Sequence, residues 1–137
     1  KNVSLKIKIM QTAVWDTYVK KKDGNVMHFD IIVPDSIKDE QVIYGYGKTY
    51  LAKNGETESS LDMEECRFCH IEEPTPEMKE AINTQGYYIL EMDEIPTALP
   101  LNPIRRDLIL YIRAHYKEYR FANFQGKTTE EIQHLLL

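Results

Sequence analysis

Residues 13–33, AVWDTYVKKKDGNVMHFDIIV, narrow the folds open to this chain more than any other stretch. Two runs rich in β-branched and aromatic residues flank Asp23-Gly24, a dipeptide suited to the positive φ angles of a type I′ turn. The reading is a β-hairpin. A two-residue loop at Asp23-Gly24 sets Val19 opposite His28, Thr17 opposite Asp30 and Trp15 opposite Ile32. Tyr18 then faces Phe29, and Val14 faces Val33. Because successive strand side chains alternate, His28 and Asp30 share one face, while Met27, Phe29, Ile31 and Val33 line the other.

Pro34 ends the second strand, and Ser36 is the expected N-cap of a helix over roughly 37–53 that stops at Asn54-Gly55. Gly45 and Gly47 weaken that helix unless close packing requires them. Thr75-Pro76 reads as N-cap and first residue of a second helix, closed by Gly86. A strand follows at YYILEM. With a strand over the cysteine segment near 66–71, the order is β-β-α-β-α-β. The expected class is α+β: a small, mainly antiparallel sheet with helices on one face. DEIPTALPLNP, with its three prolines, divides an α+β domain at 1–95 from a helical extension at 96–137 that packs on the same domain or on a second subunit. In the extension, Ile104, Leu108, Tyr111, Ile112, His115 and Tyr119 recur at helical spacing over 103–120 and are expected to dock inward. Arg106, Arg113, Lys117 and Arg120 form a second stripe, read as a solvated face that complements the helix dipole. A short last helix starts at Thr128 or Thr129.

At 137 residues, with 42% hydrophobic and 28% charged residues, the chain can bury a core of its own. The longest apolar run near a helical pattern, residues 108–112, is far too short to span a bilayer, so no membrane association is expected. The opening KNVSLKIKIM interleaves lysines with apolar residues and lacks a secretory signal's apolar stretch, which makes the cytoplasm the expected location. Met10 could itself be a native start. Net charge is −5, with 18 acids against 11 bases in residues 1–96 and 4 against 6 in 97–137. An acidic body repels phosphate backbones, so nucleic acid is not an expected partner.

The segment EECRFCHIEEP carries the only two cysteines, three positions apart, so a disulfide framework is excluded. Cys66-Arg67-Phe68-Cys69-His70 has the letters of a c-type haem attachment site, a redox dithiol and half a zinc site. Covalent haem is disfavoured by the surrounding glutamates and the lack of an export signal. A thioredoxin-type dithiol needs a long helix after its first cysteine, and Pro74 and Pro76 leave no room for one. Zinc wants a second pair of ligands, and the completion available is Cys66, Cys69, His70 and His28, with Asp30 on the same surface. His115 and His134 are poorer candidates, each lying among apolar residues at helical spacing. A regular strand over 66–71 points Cys66, Phe68 and His70 to one face and Cys69 to the other, so a shared ion requires a turn or bulge. Asp62 and Glu65 offer one as a capping-box turn. Otherwise both cysteines are reduced packing residues.

Three stretches together, VWDTYVKKKDGNVMHFDI, EECRFCH and GYYILEM, in that order and spacing, resemble the uncharacterised bacterial family catalogued as domain of unknown function twenty twenty-four. The resemblance covers about residues 13–92. It implies a compact α+β domain with no established activity, and it implies that MHFD and CRFCH belong to one local surface.

The sequence shows no Gly-rich phosphate loop, recognisable triad or helix-borne nucleophile. The expected role is therefore binding or self-association rather than catalysis, with a metal or thiol-redox site on CRFCH as the alternative. A homodimer is the firmer form of the binding expectation. With both helices on one face, the other face, carrying Trp15, Thr17, Val19, Val26, His28, Asp30 and Ile32, needs a cover from the tail helix or from a second subunit.

Overall fold

The computed structural model describes residues 11–56, 66–92 and 94–137. Strand β1 (Thr12–Lys20) and strand β2 (Val26–Pro34) form the expected hairpin. The loop is longer by one residue than a two-residue turn. Lys21 N donates to the Asn25 carbonyl at 2.8 Å, and Gly24 N donates to the Lys21 carbonyl at 3.0 Å. Gly24 has φ 92°, the left-handed conformation that closes a three-residue hairpin loop. The register shifts accordingly: Trp15 pairs with Ile31, Asp16 with Asp30, Thr17 with Phe29 and Tyr18 with His28. A one-residue slip exchanges the faces of every cross-strand pair. His28 and Asp30 therefore share their face with Val14, Asp16 and Tyr18, and not with Trp15, Thr17 and Val19.

Two more strands complete an antiparallel sheet of order β3-β1-β2-β4, with β3 at Cys66–Glu72 and β4 at Tyr88–Glu91. Helix α1 (Glu40–Lys53) covers the first face, where Ile43, Tyr44 and Leu51 pack with Ala13, Trp15, Val19, Phe29, Ile31 and Val33. Its N-cap is Asp39 rather than Ser36. Ile37 N is still held by the Pro34 carbonyl, and the Asp39 carboxylate accepts from Gln41 N, so the chain enters the helix a few residues late. Helix α2 (Pro76–Gln85) has the boundaries its sequence signals give, with Thr75 capping Met78 N and Gly86 closing at φ 97°.

The architecture is α+β, but the helices divide between the two faces of the sheet instead of gathering on one. Met78 of α2 packs with Val14 and Ile32, beside Tyr88 and Leu90, at one end of the second face. The C-terminal segment covers the other end. Its helix α3 (Arg105–His115) places Leu110 and Ala114, with Ile95 and Phe121, against Tyr18 and Val26. Both apolar ends of the second face are thus covered from within the chain, and Trp15, Thr17 and Val19 lie on the opposite face.

The expected helix over 103–120 ends at His115, where Tyr116 turns extended and a 3₁₀ turn (Lys117–Tyr119) follows. Arg120 explains the stop. It reaches back to donate from Nε to the Arg113 carbonyl at 3.0 Å and from a terminal nitrogen to the Ala114 carbonyl at 2.5 Å, satisfying carbonyls the helix end leaves open. Arg113 donates to the Ala122 carbonyl at 3.0 Å. These two arginines are packed donors and not a solvated stripe, whereas Lys117 is exposed. Leu108 and Ile112 dock inward as expected, but Ile104 stays 64% exposed. Helix α4 (Thr129–His134) is capped by Thr128 and Glu131 in a reciprocal box and packs Ile132 on Leu108, Ile112 and Phe124. Among the described residues no helix is long and apolar enough to cross a membrane.

Candidate site on the second face of the sheet

Between the two apolar ends of the second face lies a polar strip. Asp16 of β1 stands opposite Asp30 of β2, and His28 lies two residues before Asp30 on the same face. His28 Nε2 is 2.6 Å from an Asp16 carboxylate oxygen, with both side chains mostly shielded from solvent. One ligand atom from each of Asp16, His28 and Asp30 lies within 4.8 Å of the other two. The imidazole is held flat against Tyr18, ring centroids 4.3 Å apart and planes 6° from parallel. Tyr18 is 1% exposed, so it forms a fixed wall for the histidine.

Burial pushes the Asp30 carboxyl up to about 7, and the neighbouring Asp16 carboxylate adds to the effect; His28 and His70 oppose it. The physical reason is plain: two facing carboxylates out of bulk water do not both ionise without a cation between or beside them. One proton shared by Asp16 and Asp30 relieves the repulsion. A metal ion would relieve it too.

The third strand enters through a bulge. Val14 pairs with His70 and Trp15 with Phe68, which leaves Cys69 as the extra residue on β3. The bulge separates the two halves of CRFCH. Before it, Cys66 and Phe68 point to the α1 face, where Phe68 meets Trp15 edge-on at 6.0 Å. After it, His70 points to the face of Asp16, His28 and Asp30. Cys69 is exposed, and its thiol is pushed up by partial burial and then by Asp16 and Asp30, which places it within their electrostatic reach. His70 Nδ1 is 3.2 Å from the Cys69 sulfur, and Nε2 is 2.7 Å from a Glu72 carboxylate oxygen.

Cys66 is the residue the expected zinc set loses. It is 1% exposed within the core under α1, accepts a hydrogen bond from Thr17 Oγ1 at 3.3 Å, and has its thiol pushed up to about 12 by burial. The sheet stands between it and the other donors. His28, Asp30, Cys69 and His70 do share a surface. His115, by contrast, donates to the Pro96 carbonyl at 2.8 Å, at the tail junction. Asp62 and Glu65 lie outside the described residues. The residue missed from sequence is Asp16, and a three-residue hairpin loop closed by Gly24 was the signal that would have placed it opposite Asp30.

One prediction follows from the two thiol environments. Under native, metal-free conditions a thiol reagent should modify one cysteine per chain, at Cys69, and Cys66 should react only on unfolding. Peptide mapping of the labelled protein reads the result, and rapid native labelling of Cys66 would contradict its placement.

The family model described as Domain of unknown function (DUF2024) matches residues 10–92. The chain belongs to the DUF2024 family. The NMR structure of protein NE1680 from Nitrosomonas europaea is similar over 61% of this chain and 96% of its own, at 44% sequence identity and a TM-score of 0.56. No curated protein matches. All five polar residues of the strip, Asp16, His28, Asp30, Cys69 and His70, fall inside the DUF2024 segment, whereas Ala114 and Phe121, which cover one end of the same face, fall outside it.

Proposed function

We propose that this DUF2024 domain is a binding module for one divalent cation, held by Asp16, His28 and Asp30. The observation that carries the reading is their convergence: two carboxylates and an imidazole whose ligand atoms lie within 4.8 Å of one another on a half-buried face. Rigid, adjacent strands hold all three, which limits the reorganisation a bound ion would demand. The raised Asp30 carboxyl fits the same picture, because a cation would replace the proton that now separates the two acids. Imidazole in the set favours a first-row transition ion or zinc over magnesium and calcium, which prefer oxygen donors alone.

The test is a ligand-linked shift in stability. Chelator-stripped protein should melt higher with one equivalent of zinc, and an ion at about 100 times its Kd should add about 2.7 kcal/mol. His28→Ala and Asp30→Asn should each abolish most of that gain. A melting curve indifferent to zinc, cobalt and nickel in the wild-type protein would remove the proposal.

A further inference from the structure

We infer that Cys69 and His70 close over the Asp16–His28–Asp30 cluster as a second pair of ligands, making the site a mixed sulfur, nitrogen and oxygen centre for a zinc-class cation. The inference rests on the cation-binding reading and specifies its coordination.

The bulge is the reason to include them. In a regular strand, positions 69 and 70 point to opposite faces, and only one of the two side chains could serve the site. With Cys69 as the extra residue, His70 comes to the Asp16 face, while the sulfur of Cys69 remains 3.2 Å from His70 Nδ1. Bulges recur beside functional sites because they re-aim a side chain in this way.

Strand order supplies the rest of the geometry. β1 lies between β3 and β2: Asp16 stands opposite Asp30 on β2 and Arg67 on β3, Arg67 is turned over the Phe121 ring at 4.9 Å, and His70 stands opposite Val14, the next residue of β1 on the same face. Neighbouring strands run about 4.8 Å apart, which puts an ion above Asp16 within side-chain reach of both flanking strands. Asp30 feels His70, and the Cys69 thiol feels both Asp16 and Asp30. Both β3 side chains are exposed and neither belongs to the cluster whose ligand atoms lie within 4.8 Å of one another, so closing the site takes a change of rotamer at Cys69 and His70.

Glu72 orients the histidine. Its carboxylate lies 2.7 Å from His70 Nε2, and a proton on that nitrogen leaves the Nδ1 lone pair facing the Cys69 sulfur. A carboxylate behind a ligating histidine is the usual arrangement in metal sites, fixing tautomer and ring direction. On coordination the sulfur–metal bond forms as the S–H bond breaks, and the proton passes to solvent. A thiolate with imidazole and carboxylate selects zinc-class ions, which accept all three donor types, over hard cations.

Cobalt(II) is the probe that separates this inference from the reading beneath it. Added to chelator-stripped, reduced protein, it should give visible ligand-field bands and a near-ultraviolet sulfur-to-cobalt charge-transfer band at one equivalent. Cys69→Ser should abolish the charge-transfer band while the ion still binds, and His70→Ala should weaken binding by at least about tenfold. Cys66→Ser should leave the charge-transfer band in place, since that thiol faces the other side of the sheet. Cobalt bound without the charge-transfer band, and lost in His28→Ala, would overturn the role of Cys69 and leave the three-residue site standing. Binding unaffected by His70→Ala would overturn the second pair. No cobalt binding at all would overturn both readings together.

Discussion

Tyr18→Ala is expected to destabilise the protein by about 3–5 kcal/mol, the range for emptying a buried aromatic position. The side chain is fully buried and joins three parts of the molecule. It stacks on His28, meets Phe121 edge-on at 6.1 Å, and lies under the Arg120 guanidinium at 5.6 Å. Val26, Ile95 and Ala114 complete its surroundings. Removing the ring therefore strips cover from the sheet and from the C-terminal segment together. Urea denaturation should show the loss, and limited proteolysis should cut sooner in the proline-rich segment near residues 95–103. Tyr18→Phe is the informative partner. It keeps the ring and its stacking and removes a buried hydroxyl that has no hydrogen-bond partner among the described residues, so it should cost well under about 1 kcal/mol. Equal losses in both variants would place the stabilisation in the hydroxyl and contradict a packing role. Tyr18→Ala should also loosen His28 and weaken any cation bound there.

The sequence makes local features legible where one residue type meets one local demand. Thr75, Pro76 and Gly86 mark both ends of α2 because a hydroxyl cap, a fixed φ and a left-handed closing residue are each satisfied within one turn. The hairpin is legible for the same reason, but its register is not. Asp23-Gly24 serves a two-residue loop or the end of a three-residue one, and the choice depends on whether Lys21 pairs with Asn25. That single pair decides whether Thr17 or Asp16 stands beside Asp30, which is the difference between missing the cluster and finding it.

The remaining gaps have tertiary causes. Nothing in CRFCH announces that Cys69 is the bulged residue. The bulge lets Phe68 meet Trp15 while His70 stands opposite Val14, and neither partner is near in sequence. The end of α3 depends in the same way on Arg120 folding back over two carbonyls, where helical periodicity alone continues to residue 120. The family resemblance anticipated that MHFD and CRFCH would share a surface. His28, Asp30, Cys69 and His70 do, and Cys66 does not, because a strand side chain's face is set by the pairing and not by the motif.

The shared proton gives the metal-free protein a pH dependence of defined sign. Asp30 holds its proton up to about 7 in the folded chain against an ordinary 3.8, so between about pH 4 and 7 the folded state binds more protons than the unfolded one. Stability from this group is fully present below about pH 4 and is lost as pH rises to 7. At 1.36 kcal/mol per pH unit the raised value corresponds to roughly 4 kcal/mol, and solvent screening of a half-buried carboxyl reduces that to about 2 kcal/mol. Asp16, His28 and His70 all act on this carboxyl, and Cys69 lies within its electrostatic reach, so the readout is the difference between wild type and Asp30→Asn. The variant stays neutral throughout. Its urea-derived stability should overtake that of the wild type as pH rises from 4.5 to 7.5, and parallel profiles would mean that Asp30 is ionised in the folded protein. Saturating zinc should reverse the wild-type trend over the same range, because the ion displaces the proton and the site gains affinity as its ligands ionise.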